Sequence, residues 1–173
     1  MRTSLTRGSS RKTGVRSGRC RGRRYRGPIE PPPPLPGDPA PAPGDPAAAV
    51  AGVVERFYAA FEARDLDTMS DLWVHADDVA CTHPGWATLH GWAAVSASWF
   101  AIFEQASPMQ VFVTDQRVRV EGDAAWVTLD ENLLGAAGDE AGTTVSALKV
   151  LRHTGSGWQV VAHHGSVVVG RPD

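Results

Sequence analysis

The chain has 173 residues, 42% of them hydrophobic and 21% charged, with a formal net charge of −2 and a mean hydropathy of −0.21. That length predicts a single domain with room for a tail. Two cysteines, Cys20 and Cys81, exclude a disulfide-built scaffold and a four-thiolate zinc site, and no apolar run approaches the ~18 residues of a membrane span.

The averages conceal two unlike stretches. Residues 1–27 hold ten of the seventeen Lys and Arg residues and no Asp or Glu, and residues 28–46 hold ten of the thirteen prolines. The basic stretch has almost no large apolar side chains to offset the entropy of ordering its backbone, so disorder is expected there. It also lacks the apolar h-region of a secretory signal. The proline-rich stretch reads as a stiff, extended spacer. The expected organisation is therefore a tail over 1–46 and one domain over 47–170. That domain is acidic, so nucleic acid is expected only as a weak partner of the basic tail. No membrane partner is expected, and the expected location is cytoplasmic.

From Ala47 the pattern turns helical. Val50, Val53, Val54, Phe57, Tyr58 and Phe61 lie on one apolar face, with Asp45 placed to cap the helix and Pro46 at its first position. A second short helix fits DLDTMSDLW, a brief strand fits DDVACTHPG, and Gly91 to Ala106 reads as a third helix. After Pro108 the period drops to two. MQVFVTDQRVRVEG, DAAWVTLDENLLGA, GTTVSALKVLRHTG and GWQVVAHHGSVVV are predicted strands, separated by turn-forming residues in an antiparallel meander. Helices followed by such a meander make an α+β fold, and a long curled sheet under a helical lid encloses a cavity.

The series FYAAFEARDLDTMSDLW, DDVACTHPGWATLHGWAAVSASW, AWVTLDEN and GWQVVAHHGS resembles the nuclear transport factor 2-like superfamily, in its SnoaL-like, ketosteroid-isomerase-like branch, over about Val50 to Val169. The resemblance implies a cone-shaped barrel of strongly curved antiparallel sheet, three N-terminal helices enclosing a pocket, and a homodimer. It implies no single activity.

The candidate residues follow from the pocket. In the isomerase and cyclase members an Asp near the end of the first strand serves as general base. His83 stands there in this chain, and an imidazole can do that work near neutral pH. The alternative is a histidine bonded to backbone at a turn. Tyr58 is a candidate oxyanion donor, as a helix tyrosine is in the isomerases, although its spacing from Glu62 equally suits a surface role. Asp130 and Glu131 take opposite faces of one strand. Either could be the inward carboxylate, so Asp130 is a catalytic candidate and Glu131 a ligand-binding one. His163 and His164 also oppose each other. Trp158, Val160, Ala162, His164 and Ser166 share a parity, and many relatives read W-x-[IV]-V-H-x-H-x-S here, with Ala162 replacing the earlier histidine, so His164 and Ser166 are expected in the pocket and His163 outward or at a dimer face. Trp86, Trp92 and Phe61 are expected to supply aromatic wall, while Trp73 and Trp99 read as core. Cys81 is expected to be buried and inert.

No cofactor and no metal is expected. The functional expectation is a small-molecule-binding domain for an apolar or aromatic ligand, without strong catalysis. The alternative is an isomerase, cyclase or dehydratase using His83 as general base beside a carbonyl.

Overall fold

The computed structural model describes residues 44–105, 109–135 and 142–170. The expectations for the basic stretch and nearly all of the spacer fall outside the described residues.

Helix α1 (Pro46–Ala63) starts where Asp45 Oδ1 accepts a hydrogen bond from the Ala47 amide at 2.9 Å. It ends at Arg64, whose left-handed backbone (φ 55°) turns the chain. Helix α2 (Leu66–Asp71) is short and capped by Asp65. Strands β1 (Ala80–Thr82) and β2 (Leu89–His90) precede helix α3 (Trp92–Gln105). Four long strands follow: β3 (Met109–Glu121), β4 (Ala124–Gly135), β5 (Thr143–Thr154) and β6 (Gly157–Val167).

The strands form one curved sheet in the order β2-β1-β6-β5-β4-β3. The long strands make the expected antiparallel meander. Two features differ from a closed antiparallel barrel. The sheet stays open, with β2 and β3 at its edges, and β1 runs parallel to β6. The connection from β1 to β6 passes through α3 and three long strands, which gives the chain the reach that parallel pairing requires. The two-residue strand β2, which sequence periodicity is too short to register, pairs with β1.

The core lies between the concave face of the sheet and the helices. Val50, Val53, Val54 and Phe57 of α1 share one buried cluster with Val127 and Leu129 of β4, Ala147 and Leu151 of β5, and Val160 of β6. Glu62 ties α1 to β3 by accepting from the Val111 amide at 2.7 Å.

One irregularity sets the site. Val150 pairs with Ala162 and Leu151 with Val160, so Val161 is an extra residue in β6. A bulge of this kind interrupts the strict alternation of a strand. Trp158 and Val160 face inward before it, and His163 and Gly165 face inward after it. At Gly165 a Cβ would sit 3.1 Å from Val145 Cγ1 and 3.3 Å from Pro84 Cγ. The missing side chain therefore lets the Pro84 turn lie directly on β6.

Candidate functional site

Between α1, α3 and the sheet lies a cavity of about 190 Å³. Phe57, Tyr58 and Phe61 come from α1, His83, Pro84 and Trp86 from the turn after β1, and Trp99 and Ile102 from α3. The sheet adds Met109, Val111, Glu131, Leu133 and His163. Two larger depressions lie on the outside of the domain, one lined by Gly52, Asp123 and Trp158, the other by Asp71, His75 and Gln159. Neither gathers the buried polar groups that set the cavity apart.

Those polar groups form one network. Lys149 is fully buried. Its Nζ donates to Tyr58 Oη at 2.8 Å and to Glu131 Oε1 at 3.3 Å, and lies 3.1 Å from His163 Nδ1. Tyr58 Oη donates to the same Glu131 Oε1 at 2.6 Å. An ammonium has three N–H donors and no acceptor, and it meets three acceptors here. The arrangement satisfies the charge as well, since Lys149 forms an ion pair with Glu131, whose side chain keeps 10% of its surface accessible where it lines the cavity. The ammonium also stands 4.2 Å from the Phe57 ring centroid and 4.6 Å from that of Tyr58, a cation–π environment that offsets part of its lost hydration.

The electrostatics follow from burial. Burial pulls the Lys149 pKa down while Glu131 opposes it. Burial and the Glu131 carboxylate hold the Tyr58 phenol well above its ordinary value, so it stays protonated. Burial, helped by the Lys149 charge, holds His163 well below the usual imidazole range. Burial lowers His83 to about 4 and pushes the Cys81 thiol up to about 12. His83 Nε2 is 2.8 Å from Ser98 Oγ, which itself donates to the Val95 carbonyl at 2.7 Å. The serine proton is thus already committed, so His83 Nε2 is the donor. The thiol of Cys81 sits 3.7 Å from that ring.

The structure brings His83, Tyr58, Phe61, Trp86 and Glu131 together on the cavity wall. Trp86 is 48% exposed and stands edge-on to His83 at 5.2 Å, at the mouth. Trp99, buried as core, is also wall.

Four expected site residues lie elsewhere. Asp130 is on the convex face of β4, because Val127, Leu129 and Glu131 form the buried stripe. His164 and Ser166 are exposed on the convex face, because the Val161 bulge shifts the parity and turns His163 inward in their place. Trp92 stacks flat on His75 at 4.3 Å and leans toward Trp73, away from the cavity. Tyr58 is in place, but its proton goes to Glu131, so it has no O–H left for an oxyanion.

Sequence pattern does not single out Lys149. Its one sign is a lone cation in the otherwise apolar stripe Val145, Ala147, Lys149, Leu151. Among the described residues no three His, Cys, Asp or Glu side chains are grouped to hold a metal ion, and no helix is long and apolar enough to cross a membrane.

A sequence profile of the SnoaL-like domain matches residues 50–170. The chain belongs to the SnoaL-like domain family. Solved structures of similar chains agree with this SnoaL-like assignment. A Streptomyces avermitilis protein of the NTF2-like family, whose name gives it a provisional dehydratase role, is 36% identical with a TM-score of 0.69, covering 75% of this chain and 100% of its own. A Thiobacillus denitrificans protein, named provisionally as a calcium/calmodulin-dependent protein kinase type II association domain, is 36% identical with a TM-score of 0.64, covering 69% and 94%. Among curated proteins, the F-box protein SKIP8 of Arabidopsis thaliana is 31% identical over 121 residues, which are 70% of this chain and 50% of that protein. The SnoaL-like chain thus spans about half the length of this curated relative.

Two outcomes are expected for the network. Lys149→Met leaves the Glu131 carboxylate buried without its cation and costs about 3–5 kcal/mol in denaturant unfolding. Glu131→Gln with Lys149→Met costs less than the sum of the single changes, because neither charge is then stranded. Stability also falls with acid. The two inward imidazoles are neutral in the folded state, whereas unfolding restores a pKa near 6.5. The unfolded chain therefore binds more protons below about pH 6.5. Each imidazole then contributes a loss of at most about 1.4 kcal/mol per pH unit, continuing for His83 toward pH 4. Urea unfolding at pH 7, 6 and 5 should show this slope, and His83→Gln should flatten it.

Proposed function

We propose that this SnoaL-like domain binds a small, mostly apolar or aromatic molecule in the cavity, and that ligand retention is its main task. The carrying observation is the wall itself, in which the rings of Phe57, Phe61, Trp86 and Trp99 meet the polar groups of Glu131, His83 and His163. Size narrows the class. Pockets for drug-sized ligands run to about 300–1,000 Å³, while an apolar cavity of about 150 Å³ takes up benzene. At about 190 Å³ the cavity suits one ring, and a four-ring skeleton would require it to open.

A second reading is favoured by the 36% identity with the Streptomyces protein that carries a dehydratase name. In it His83 accepts a proton from the carbon beside a carbonyl. Burial leaves that imidazole neutral at pH 7 and able to accept, but with a pKa near 4 it holds the proton weakly. Asp130, on the convex face, takes no part.

The convex face is the proposed contact with a second copy of the domain. Phe112 of β3 and Leu134 of β4 are exposed near one another there, at 53% and 40%, and Leu148 of β5 is 40% exposed further along the same face, between Thr128 and His164. Large apolar groups exposed on one open sheet face favour association.

Thermal melting of the full chain against one-ring and polycyclic compounds tests the first reading. A one-ring compound at ~100 times its Kd should add about 2.7 kcal/mol of stability, and Ile102→Trp, which fills the cavity, should abolish the shift. No shift from any one-ring compound would sink the binding reading. Consumption of a bound hydroxy ketone, lost in His83→Ala, would replace it with the enzyme. Sedimentation tests the dimer: Leu148→Lys should convert it to monomer and remove the concentration dependence of the melt that association of native copies confers.

A further inference from the structure

We propose that Lys149 holds His163 as the Nε2–H tautomer, making His163 a hydrogen-bond donor of the cavity, so that the site selects an uncharged acceptor such as an aldehyde, ketone or amide. This rests on the cavity being the ligand site.

The donor count comes first. Paired as an ammonium with the Glu131 carboxylate, Lys149 Nζ can only donate, so His163 Nδ1, 3.1 Å away, is its acceptor. A neutral imidazole accepting at Nδ1 carries its proton on Nε2. His163 lines the cavity, and among the described residues its Nε2 has no hydrogen-bond partner. Tyr58 cannot fill this role, since its proton is committed to Glu131 at 2.6 Å. His83 cannot either, since its Nε2–H is committed to Ser98 at 2.8 Å. His163 thus presents an uncommitted N–H on the wall, and a second is the indole Nε1–H of Trp99, which is buried and has no partner among the described residues.

Charge gives the second constraint. The Lys149 ammonium and Glu131 carboxylate cancel each other, and the same ammonium disfavours a second positive charge on His163. The wall therefore offers no spare cation to a carboxylate ligand, which would also meet the Glu131 charge. A ligand with no acceptor would leave the His163 N–H unpaired, a loss a carbonyl oxygen avoids. Lys149 acts through His163 and is a positioning residue.

The test uses acetophenone, ethylbenzene and benzoate, three one-ring probes of similar size, titrated into the full chain at pH 7. Acetophenone should bind about tenfold more tightly than either of the others, and the advantage over ethylbenzene should vanish in His163→Phe. Equal binding of acetophenone and ethylbenzene would overturn the inference and leave the cavity reading standing. Binding of none of the three would remove both. Two-bond 1H–15N correlation of the unaltered protein reads the tautomer without any substitution. His163 should show an unprotonated Nδ1 and a protonated Nε2, and the reverse pattern would overturn the proposal even if acetophenone binds best.

Discussion

The buried Lys149 ammonium is the constraint on which the rest of the site depends. A charge with no solvent contact is tolerable only when its protons are all taken and an opposite charge lies beside it. Tyr58, Glu131 and His163 meet both conditions, and they come from three different elements, α1, β4 and β6. One cation thereby sets the position of the helix relative to the sheet, the ionisation of a carboxylate and the tautomer of an imidazole. Its neighbours are then no longer interchangeable polar groups. Glu131 accepts, Tyr58 is spent, and His163 keeps one proton to offer.

The fold supplies what this network needs by departing from regularity in two places. The Val161 bulge changes which side of β6 faces the core, and so delivers His163 to Lys149. Gly165 lets Pro84 settle on β6, which brings His83 and Trp86 over the cavity mouth. The parallel pairing of β1 with β6 places Cys81 beside His163 and continues the same wall. An open sheet serves this purpose as well as a closed barrel, since α1 and α3 cover the concave side that the missing strands would have closed.

The proposed retention of a ligand, rather than its transformation, rests on the chemistry of the cavity. Its two inward imidazoles are both neutral, and both are poor bases because desolvation opposes their charged forms. The small volume and aromatic walls favour burial of a single ring. Strong general-base catalysis would ask for a group whose pKa lies nearer neutrality, and burial has moved His83 the other way.

The helical face of Val50 to Phe61, the cap at Asp45, and the alternation of four long strands were all legible in the sequence, because each depends on residues a few positions apart. The family resemblance was legible too, and the α+β class already followed from helices that precede a strand meander. The identity of the inward groups was not. Strict alternation predicts His164 and Ser166 inside, yet a single extra residue reverses the parity, and no local pattern marks Val161 as that residue. Asp130 and Glu131 could not be told apart by strand logic alone until the stripe Val127–Leu129–Glu131 met the helix. Lys149 looks like any strand lysine until Tyr58, Glu131 and His163 are seen around it. Sequence by itself determined the three helices, the brief first strand and the four long strands in their order, but not the two-residue β2, since propensity and periodicity are local and need several residues to show. Tertiary structure alone decided which polar groups face the cavity and which protons they have left, because hydrogen bonds between residues 58, 131, 149 and 163 exist only once distant strands and a helix are packed together.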